Sequence, residues 1–206
     1  MRKLLVLSSL SAMALLIAEA APVRADDIAG ASDFAKRVFA VKSIDKKTYA
    51  CFVRRYDAAH LAQHPLQKVS AMRLLLTVEK VPEDAALEYS FRVGVNFRHR
   101  PGNFDSSGDC GHALASETKD GELEIHCNVD CDGGGVQVGL SKASDKSVVL
   151  RLEQIRIWDA NKPDEDATHS LQGGADDRIF RLDRADVNEC ASLVADRKEL
   201  AAMRRK

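Results

Sequence analysis

Three groups of side chains in this chain of 206 residues have the types and spacing to do chemistry. The first is a set of cysteines and histidines, the second is a run of oxygen ligands, and the third is a pair of histidines. Each group also has a purely structural interpretation. The positions of the helices and strands that carry these residues distinguish the chemical from the structural interpretation.

The cysteines and histidines of the first group lie within a short stretch of the chain. They are Cys110, His112, His126, Cys127 and Cys131. Structural zinc takes four Cys or His ligands in a tetrahedron, but the spacing here matches no established zinc pattern. Neighbours in a strand also point to opposite faces, which separates His126 from Cys127. Disulfide formation is the interpretation that we favour over a zinc site.

All five cysteines are disulfide candidates, namely Cys51, Cys110, Cys127, Cys131 and Cys190. We expect Cys110 to pair with Cys127 or Cys131. A bridge from Cys51 to Cys190 would tie the first strand to the C-terminal helix. In one straight strand Cys127 and Cys131 would lie about 13 Å apart, which is too far for a bridge. Two bridges use four thiols, so one cysteine is left to be buried or to form an intermolecular bridge.

The oxygen ligands of the second group are Asn128, Asp130 and Asp132, followed by Gly133. Oxygen ligands at alternate positions before a glycine are typical of the opening half of a calcium loop. The closing glutamate is missing, because Gly139 stands in its place. An Asp/Gly turn between two strands is the interpretation that we favour. We therefore predict no cofactor, with calcium and zinc as the alternatives.

The histidines of the third group are spaced to share one face of a helix with Asp57. A His-x-x-x-His pair, here His60 and His64, binds metal on a helix. Pro65 follows His64 directly and disfavours a helix there, and no glutamate stands next to His60, so the metalloprotease motif is absent. We predict a polar loop.

The sequence contains no recognised catalytic motif. We find no Gly-x-Ser-x-Gly, no P-loop and no dinucleotide-binding glycine pattern. Phe91 and Trp158 have the size to line a ligand cavity, but packing in the core is the stronger expectation. No catalytic residue is predicted.

The N-terminus has the layout of a secretory signal peptide. Arg2 and Lys3 precede an apolar run over residues 4–18, and small-x-small patterns end at Ala20 and Ala25. We expect cleavage after Ala25, so that residues 1–25 are a leader and residues 26–206 are the mature chain. The run is shorter than the ~20 residues of a spanning helix. We expect no membrane span after cleavage.

The mature chain is of a size for one domain and is slightly acidic. The leader holds three of the 30 basic and one of the 31 acidic residues, which leaves a mature charge of −3. A length of 181 residues after cleavage is typical of a single domain. Because there is no broad basic surface, nucleic-acid binding is not expected.

The elements that must position these residues are mainly strands over residues 33–182, followed by an amphipathic helix over 186–203. Residues 89–98 are the clearest strand, because apolar and polar side chains alternate there. Gly94, within it, predicts a bulge or a close approach. Residues 33–41 fit either a helix or a strand. Residues 69–80 fit a buried strand, with a helix as the alternative, and residues 26–32 fit a loose lead-in.

Short strands joined by turns predict an all-β fold, a single antiparallel β-barrel or β-sandwich domain with a C-terminal amphipathic helix. We favour the barrel slightly, because closure removes exposed strand edges. For function we expect an exported, periplasmic or secreted, non-catalytic domain that binds a small ligand or an envelope protein. The alternatives are a metal-binding exported protein and a hydrolase with an unrecognised active site.

Overall fold

The structure is a computed structural model that describes residues 25–81, 86–112, 124–130, 132–162 and 169–205. The predicted leader, apart from its last residue Ala25, lies outside the described residues, and so does Cys131. Export therefore stays a prediction from the sequence.

Strands dominate the described part of the chain. They are β1 (Thr48–Arg55), β2 (Val69–Lys80), β3 (Leu87–Phe97), β4 (Phe104–His112), β5 (Glu124–Asn128), β6 (Gly134–Ser141), β7 (Ser144–Asp159), β8 (His169–Gln172) and β9 (Ile179–Ala185). The helices are α1 (Ala25–Phe39), α2 (Ala58–Gln63), a 3-10 helix (Val187–Leu193) and α3 (Arg197–Arg204).

The strands pair antiparallel in a single sheet whose pairings close into a ring. β1 to β7 pair with their neighbours in chain order. β9 pairs with both β7 and β1 and thereby closes the circuit. β8 lies outside this circuit and pairs with β7. The prediction of an all-β, antiparallel domain is confirmed. Ring closure allows each strand of the circuit to pair on both of its sides.

The side chains inside the ring form the main core, which we call the inner core. β3 contributes Tyr89, Phe91, Val93 and Val95, all buried, while Arg92 between them faces outward. The alternation predicted for this strand is therefore confirmed. Phe91 is a core residue, as expected, and Trp158 packs partly buried against the same core.

The run of leucines in β2 is a strand that is buried on both of its faces. Leu74 and Leu76 belong to the inner core, whereas Leu75 belongs to a second apolar cluster on the outer face of the sheet. A strand covered on both sides needs apolar residues at every position. This double burial explains why the sequence shows a continuous apolar run instead of alternation.

The second cluster, here the outer cluster, lies between the sheet and the C-terminal segment 187–205. Its buried members are Cys51, Val53, Leu75, Val187, Cys190, Val194 and Met203. Gly94 is part of the sheet surface beneath this segment, and a Cβ there would lie 2.7 Å from Leu193 Cδ2. The strand pairs without a bulge at Gly94, so this glycine permits a close approach of the C-terminal segment.

The C-terminal helix is present but divided into two parts. An aspartate caps each part, Asp186 accepting from the Asn188 N–H at 2.9 Å and Asp196 from the Glu199 N–H at 2.7 Å. Val194 between them is extended, with φ −113° and ψ 104°. Because each aspartate favours a new helix start, the single helix predicted over 186–203 becomes a 3-10 helix and a short α-helix.

Two disulfides join the sheet to itself and to the C-terminal segment. Cys51 is bonded to Cys190, and Cys110 to Cys127. Both bridges are among the pairings that the sequence analysis expected. Cys110 and Cys127 lie directly opposite each other on β4 and β5. Disulfides persist in oxidising compartments, which agrees with an exported protein.

The N-terminal part of the described chain is helical where the sequence suggested a loose lead-in. α1 starts at Ala25 and covers residues 26–32 as well as the ambiguous residues 33–39. Phe34, Ala35, Val38 and Phe39 are buried in the inner core. Their spacing is that of one helical face, so burial of this face decides the ambiguity in favour of a helix.

Candidate functional site

A cleft of about 430 Å³ lies where the end of α1 meets the first residues of β7 and the last residues of β9. Its lining comprises four basic side chains, one acidic side chain and one alanine, namely Lys36, Arg37, Lys146, Arg184, Asp145 and Ala40. The volume falls within the usual range of ligand sites, about 300–1,000 Å³. The charge of the lining makes this cleft the best candidate site among the described residues.

The end of α1 sets one wall of the cleft. Ala40 adopts the left-handed conformation with φ 53°, and the Val41 N–H donates to the Lys36 carbonyl at 3.0 Å. This reversal is the usual way in which a helix satisfies its last carbonyls. It ends α1 at Phe39, so Lys36 and Arg37 both belong to the last turn of the helix.

Arg184 of β9 fastens the end of α1 to the ring. Its Nη2 donates to the carbonyls of Arg37 at 3.1 Å, Val38 at 2.8 Å and Asp145 at 3.2 Å. The guanidinium also lies 4.9 Å from the centre of the Phe52 ring. Burial lowers the pKa of Arg184, and the charge of Asp145 opposes this shift. Among the described residues, no group accepts a hydrogen bond from Nη1 or Nε.

Arg37 and Asp145 form an ion pair across the cleft. Arg37 Nη2 lies 2.7 Å and Nε 3.2 Å from Asp145 Oδ1. The hydrogen bond from Arg37 lowers the pKa of the Asp145 carboxyl, and the charges of Arg37 and Arg184 act in the same direction. The one carboxylate of the cleft is therefore already matched with one of its four cations.

Lys36 and Lys146 complete the lining from two different elements. Lys36 belongs to α1 and Lys146 to β7. Neither ammonium group has an ion-pair or hydrogen-bond partner in the described part of the chain. With the Arg37–Asp145 pair counted as neutral, Lys36, Lys146 and Arg184 leave the cleft with a net positive charge. This arrangement favours an anion.

The predicted histidine pair lies elsewhere, on and beside α2. His60 is in the helix and His64 ends it, so the predicted polar loop is partly helical. The two rings stack with centroids 4.3 Å apart, and His60 stacks in turn on Tyr56 at 4.6 Å. Stacked rings do not direct their nitrogens at one point. His60 Nε2 is hydrogen-bonded to Gln67 Oε1 at 3.0 Å.

The predicted calcium ligands lie at the β5–β6 turn. Asn128 ends β5, and Asp130 and Asp132 follow it, all three with exposed side chains. The Gly133 N–H donates to the carbonyls of Val129 and Asp130, both at 3.2 Å, and closes the turn through backbone groups. The structure neither tests nor requires an ion here, so calcium stays an alternative from the sequence.

The predicted zinc ligands do not converge in the described part of the chain. Cys110 and Cys127 are consumed by their disulfide. His112 packs edge-on against Phe34 and Tyr89, which belong to the inner core. Burial lowers the pKa of His112. Within the described ranges no three His, Cys, Asp or Glu side chains are grouped to hold a metal.

None of the cleft residues was singled out from the sequence. Lys36 and Arg37 resemble any basic pair at a helix end, and Asp145–Lys146 resembles a turn. The only signal is the position of Lys36 and Arg37 in the last turn of a helix. This signal is weak, because basic residues are common there for their favourable interaction with the helix dipole. The cleft exists because the pairing of β7 with β9 and the packing of α1 on the ring bring three distant parts of the chain together.

No described helix is long and apolar enough to cross a membrane. Searches against protein-family models, curated proteins and solved structures return no match to this chain.

Proposed function

We propose that this protein is an exported, non-catalytic β domain that binds a small anionic ligand in the cleft between α1, β7 and β9. The observation that carries the proposal is the presence of two unpaired ammonium groups, those of Lys36 and Lys146, on different walls of one cleft. Unpaired cations that share a concave site raise the local concentration of anions.

Rigid support strengthens the case for binding. Arg184 is anchored by three backbone carbonyls and by the Phe52 ring. A guanidinium held in this way loses little side-chain freedom when a ligand binds. The Arg37–Asp145 pair similarly holds the two walls together. The cleft is therefore largely formed before a ligand arrives.

Export is supported by the leader sequence and by the two disulfides. The leader has a basic start, an apolar run and small-x-small patterns. The bridges Cys51–Cys190 and Cys110–Cys127 persist in an oxidising compartment such as the periplasm or the extracellular space. Finding the native protein with its first 25 residues intact in the cytosol would overturn the export part of the proposal.

We further infer that the ring of strands is a filled barrel and not a two-sheet sandwich. The circuit of pairings from β1 to β9 and back supports this inference, as does a continuous inner core. An experimental structure in which the circuit is open between two strands would contradict it.

The anion-binding proposal is tested by calorimetric titration of the mature protein with succinate, inorganic phosphate, glucose and choline. We expect one of the two anions at least to bind and the neutral and cationic probes not to bind. The double variant K36Q/K146Q should weaken anion binding about tenfold or more. The control variant K68Q/K198Q removes two exposed lysines outside the cleft and should bind like the wild type.

A cleft variant that binds as tightly as the control variant would place the anion elsewhere on the surface. Failure of both succinate and phosphate to bind the wild type would refute the proposed function. Circular dichroism of each variant shows whether its fold is unchanged, which is expected because both cleft lysines are exposed.

A further inference from the structure

The donors that remain in the cleft come from three elements and outnumber what a single carboxylate accepts. Lys36 on α1 and Lys146 on β7 each carry three ammonium hydrogens. Arg184 on β9 keeps the hydrogens of Nη1 and Nε, because its hydrogen bonds in the described structure all use Nη2. These donors match a ligand group with three acceptor oxygens better than a carboxylate, which has two oxygens with about four acceptor sites.

The charge of the cleft points to the same kind of group. The lining has four cations and one carboxylate, and Arg37 is already engaged by Asp145 at 2.7 Å. Asp33 also lies 3.9 Å from Arg37, so the four cations less the two carboxylates leave two positive charges for the ligand. A carboxylate supplies only one negative charge, whereas a phosphomonoester carries about −1.5 to −2 at neutral pH together with three terminal oxygens.

The size of the cleft indicates that the phosphoryl group is one end of a larger molecule. A volume of about 430 Å³ exceeds what a single phosphoryl group fills. Ala40 is the small uncharged residue of the lining, and it leaves room beside the basic groups. The remainder of the ligand would occupy this open part of the cleft.

We propose that the cleft binds the phosphoryl dianion of a phosphomonoester, with Lys36, Lys146 and Arg184 each taking one of its terminal oxygens. This inference rests on the proposed function and narrows its ligand class. Because the three groups sit on α1, β7 and β9, the bound dianion would also clamp the end of α1 to the ring.

The first test uses the charge of phosphate itself. Inorganic phosphate, glycerol 3-phosphate, sulfate and succinate are titrated into the mature protein at about pH 5.5 and about pH 7.5, on either side of the second pKa of a phosphomonoester, which is near 6. We expect the affinity for glycerol 3-phosphate to rise about fourfold between these pH values, following its dianion fraction. The affinity for inorganic phosphate, whose second pKa is higher, should rise more steeply. Sulfate keeps its charge, so its affinity should not rise.

Two outcomes separate this inference from the proposed function on which it rests. If succinate binds at least as tightly as both phosphates, the phosphoryl assignment is wrong while an anion site remains. If no anion binds, the proposed function itself is wrong. A phosphate affinity that does not change with pH would also overturn the dianion assignment.

Single variants then test whether Lys36 and Lys146 each contact the bound phosphate. K36Q and K146Q should each weaken phosphate binding about five- to tenfold, and K68Q should leave it unchanged. Hydrogen exchange supplies a second readout, because phosphate should slow exchange of the last α1 amides more in the wild type than in K146Q when both are saturated with phosphate. Equal protection of α1 in both proteins would contradict the clamp.

Binding to lipid vesicles distinguishes a lipid headgroup from a soluble molecule as the source of the phosphoryl group. Vesicles containing phosphatidic acid present a phosphomonoester headgroup, and vesicles containing phosphatidylglycerol present a diester with the same backbone. Binding to the first and not to the second indicates a lipid source, and binding of glycerol 3-phosphate alone indicates a soluble source. Equal binding to both vesicles, with no soluble phosphate bound, would overturn the proposal.

Discussion

The two helical ends of the described chain are attached to the same ring by different means. α1 is held by its apolar face, by the hydrogen bonds of Arg184 and by the Arg37–Asp145 pair. The C-terminal segment is held by the buried Cys51–Cys190 disulfide and by the outer cluster. One attachment is entirely non-covalent, and the other includes a covalent bond.

Polar contacts add to the covalent attachment of the C-terminal segment. Glu199 of α3 lies 2.8 Å from Arg92 and 3.4 Å from Lys47, with its side chain only 15% exposed. The Tyr49 hydroxyl lies 3.5 Å from the same carboxylate. Burial raises the pKa of Tyr49 to about 12, and the negative charge of Glu199 adds to the shift. The tyrosine therefore stays neutral as a donor to Glu199.

The difference shows where a ligand can influence this structure. A ligand gains little by bridging elements that a disulfide already joins, because they are ordered without it. The end of α1 is held by polar contacts beside unpaired cations, so the binding free energy of an anion can stabilise its attachment to the ring. The following changes test this contrast between the covalent and the non-covalent attachment.

Removing the long-range disulfide should have the largest effect. The Cys51–Cys190 bridge spans 139 residues and the Cys110–Cys127 bridge spans 17. The chain-entropy relation gives losses of about 5 and about 3 kcal/mol for C51A/C190A and C110A/C127A. Urea unfolding followed by circular dichroism measures both. A larger loss for C110A/C127A would reverse the order that we expect.

Truncating the leucine beneath the C-terminal segment should have the next largest effect. Leu75 is fully buried in the outer cluster, so L75A should lower the free energy of unfolding by about 3 kcal/mol. L66A is the control, since Leu66 is 65% exposed. We expect a single unfolding transition. Separate loss of the C-terminal segment before the ring would show that the outer cluster is not part of the cooperative fold.

Replacing the arginine that fastens α1 should have a smaller and local effect. R184Q removes donors to the carbonyls of Arg37 and Val38 and should cost about 2 kcal/mol. Amide exchange should accelerate at the end of α1 and stay unchanged in the C-terminal segment. R178Q serves as the control, because Arg178 is exposed. Faster exchange in both segments would mean that Arg184 acts on the whole fold.

The smallest effect concerns pH and the carboxylate of α3. Burial raises the pKa of Glu199, but the hydrogen bond from Arg92 and the charges of Arg92 and Lys47 outweigh it and lower the pKa. A lowered folded-state pKa means that the stabilisation is present above the unfolded value, about 4.3, and is lost as the pH falls through the folded-state pKa.

The variant E199Q should therefore be less stable than the wild type at neutral pH, by about 1 kcal/mol. The difference should shrink as both proteins are acidified below about pH 4.3. E189Q is the control, because Glu189 pairs with Arg55 on the surface with its side chain 45% exposed, and its effect should be smaller. A difference that grows with acid would give the opposite sign for the pKa shift.

Much of the sheet was predictable because strand periodicity is a local property. The alternation of Phe91, Val93 and Val95 follows from backbone geometry and is visible without neighbours. The run around Leu75 predicted a buried strand but did not exclude a helix, because it shows no alternation. Its second buried face is created by the C-terminal segment, whose Cys190 lies 139 residues from Cys51. No local pattern reports a partner at that separation.

The candidate site was not predictable, and the reason is the same. Lys36, Lys146 and Arg184 belong to three elements, and none stands in a motif. The groups that the sequence did single out either lie at the surface, as Asp130 and Asp132 do, or stack together, as His60 and His64 do. Residue type and spacing showed which side chains could bind a ligand, but not which of them meet in the folded protein.

By itself, the sequence determined the strand-rich class, because strand periodicity is local. It also predicted an export leader and a short set of cysteine pairings, with Cys110 joining either Cys127 or Cys131, from composition and residue type. The tertiary structure alone decided that the strands close into a ring, that the C-terminal segment covers a second apolar face, and that unpaired cations share one cleft. These features depend on contacts between distant residues, which form only when the chain pays the entropy of closing long loops and buries both faces of β2.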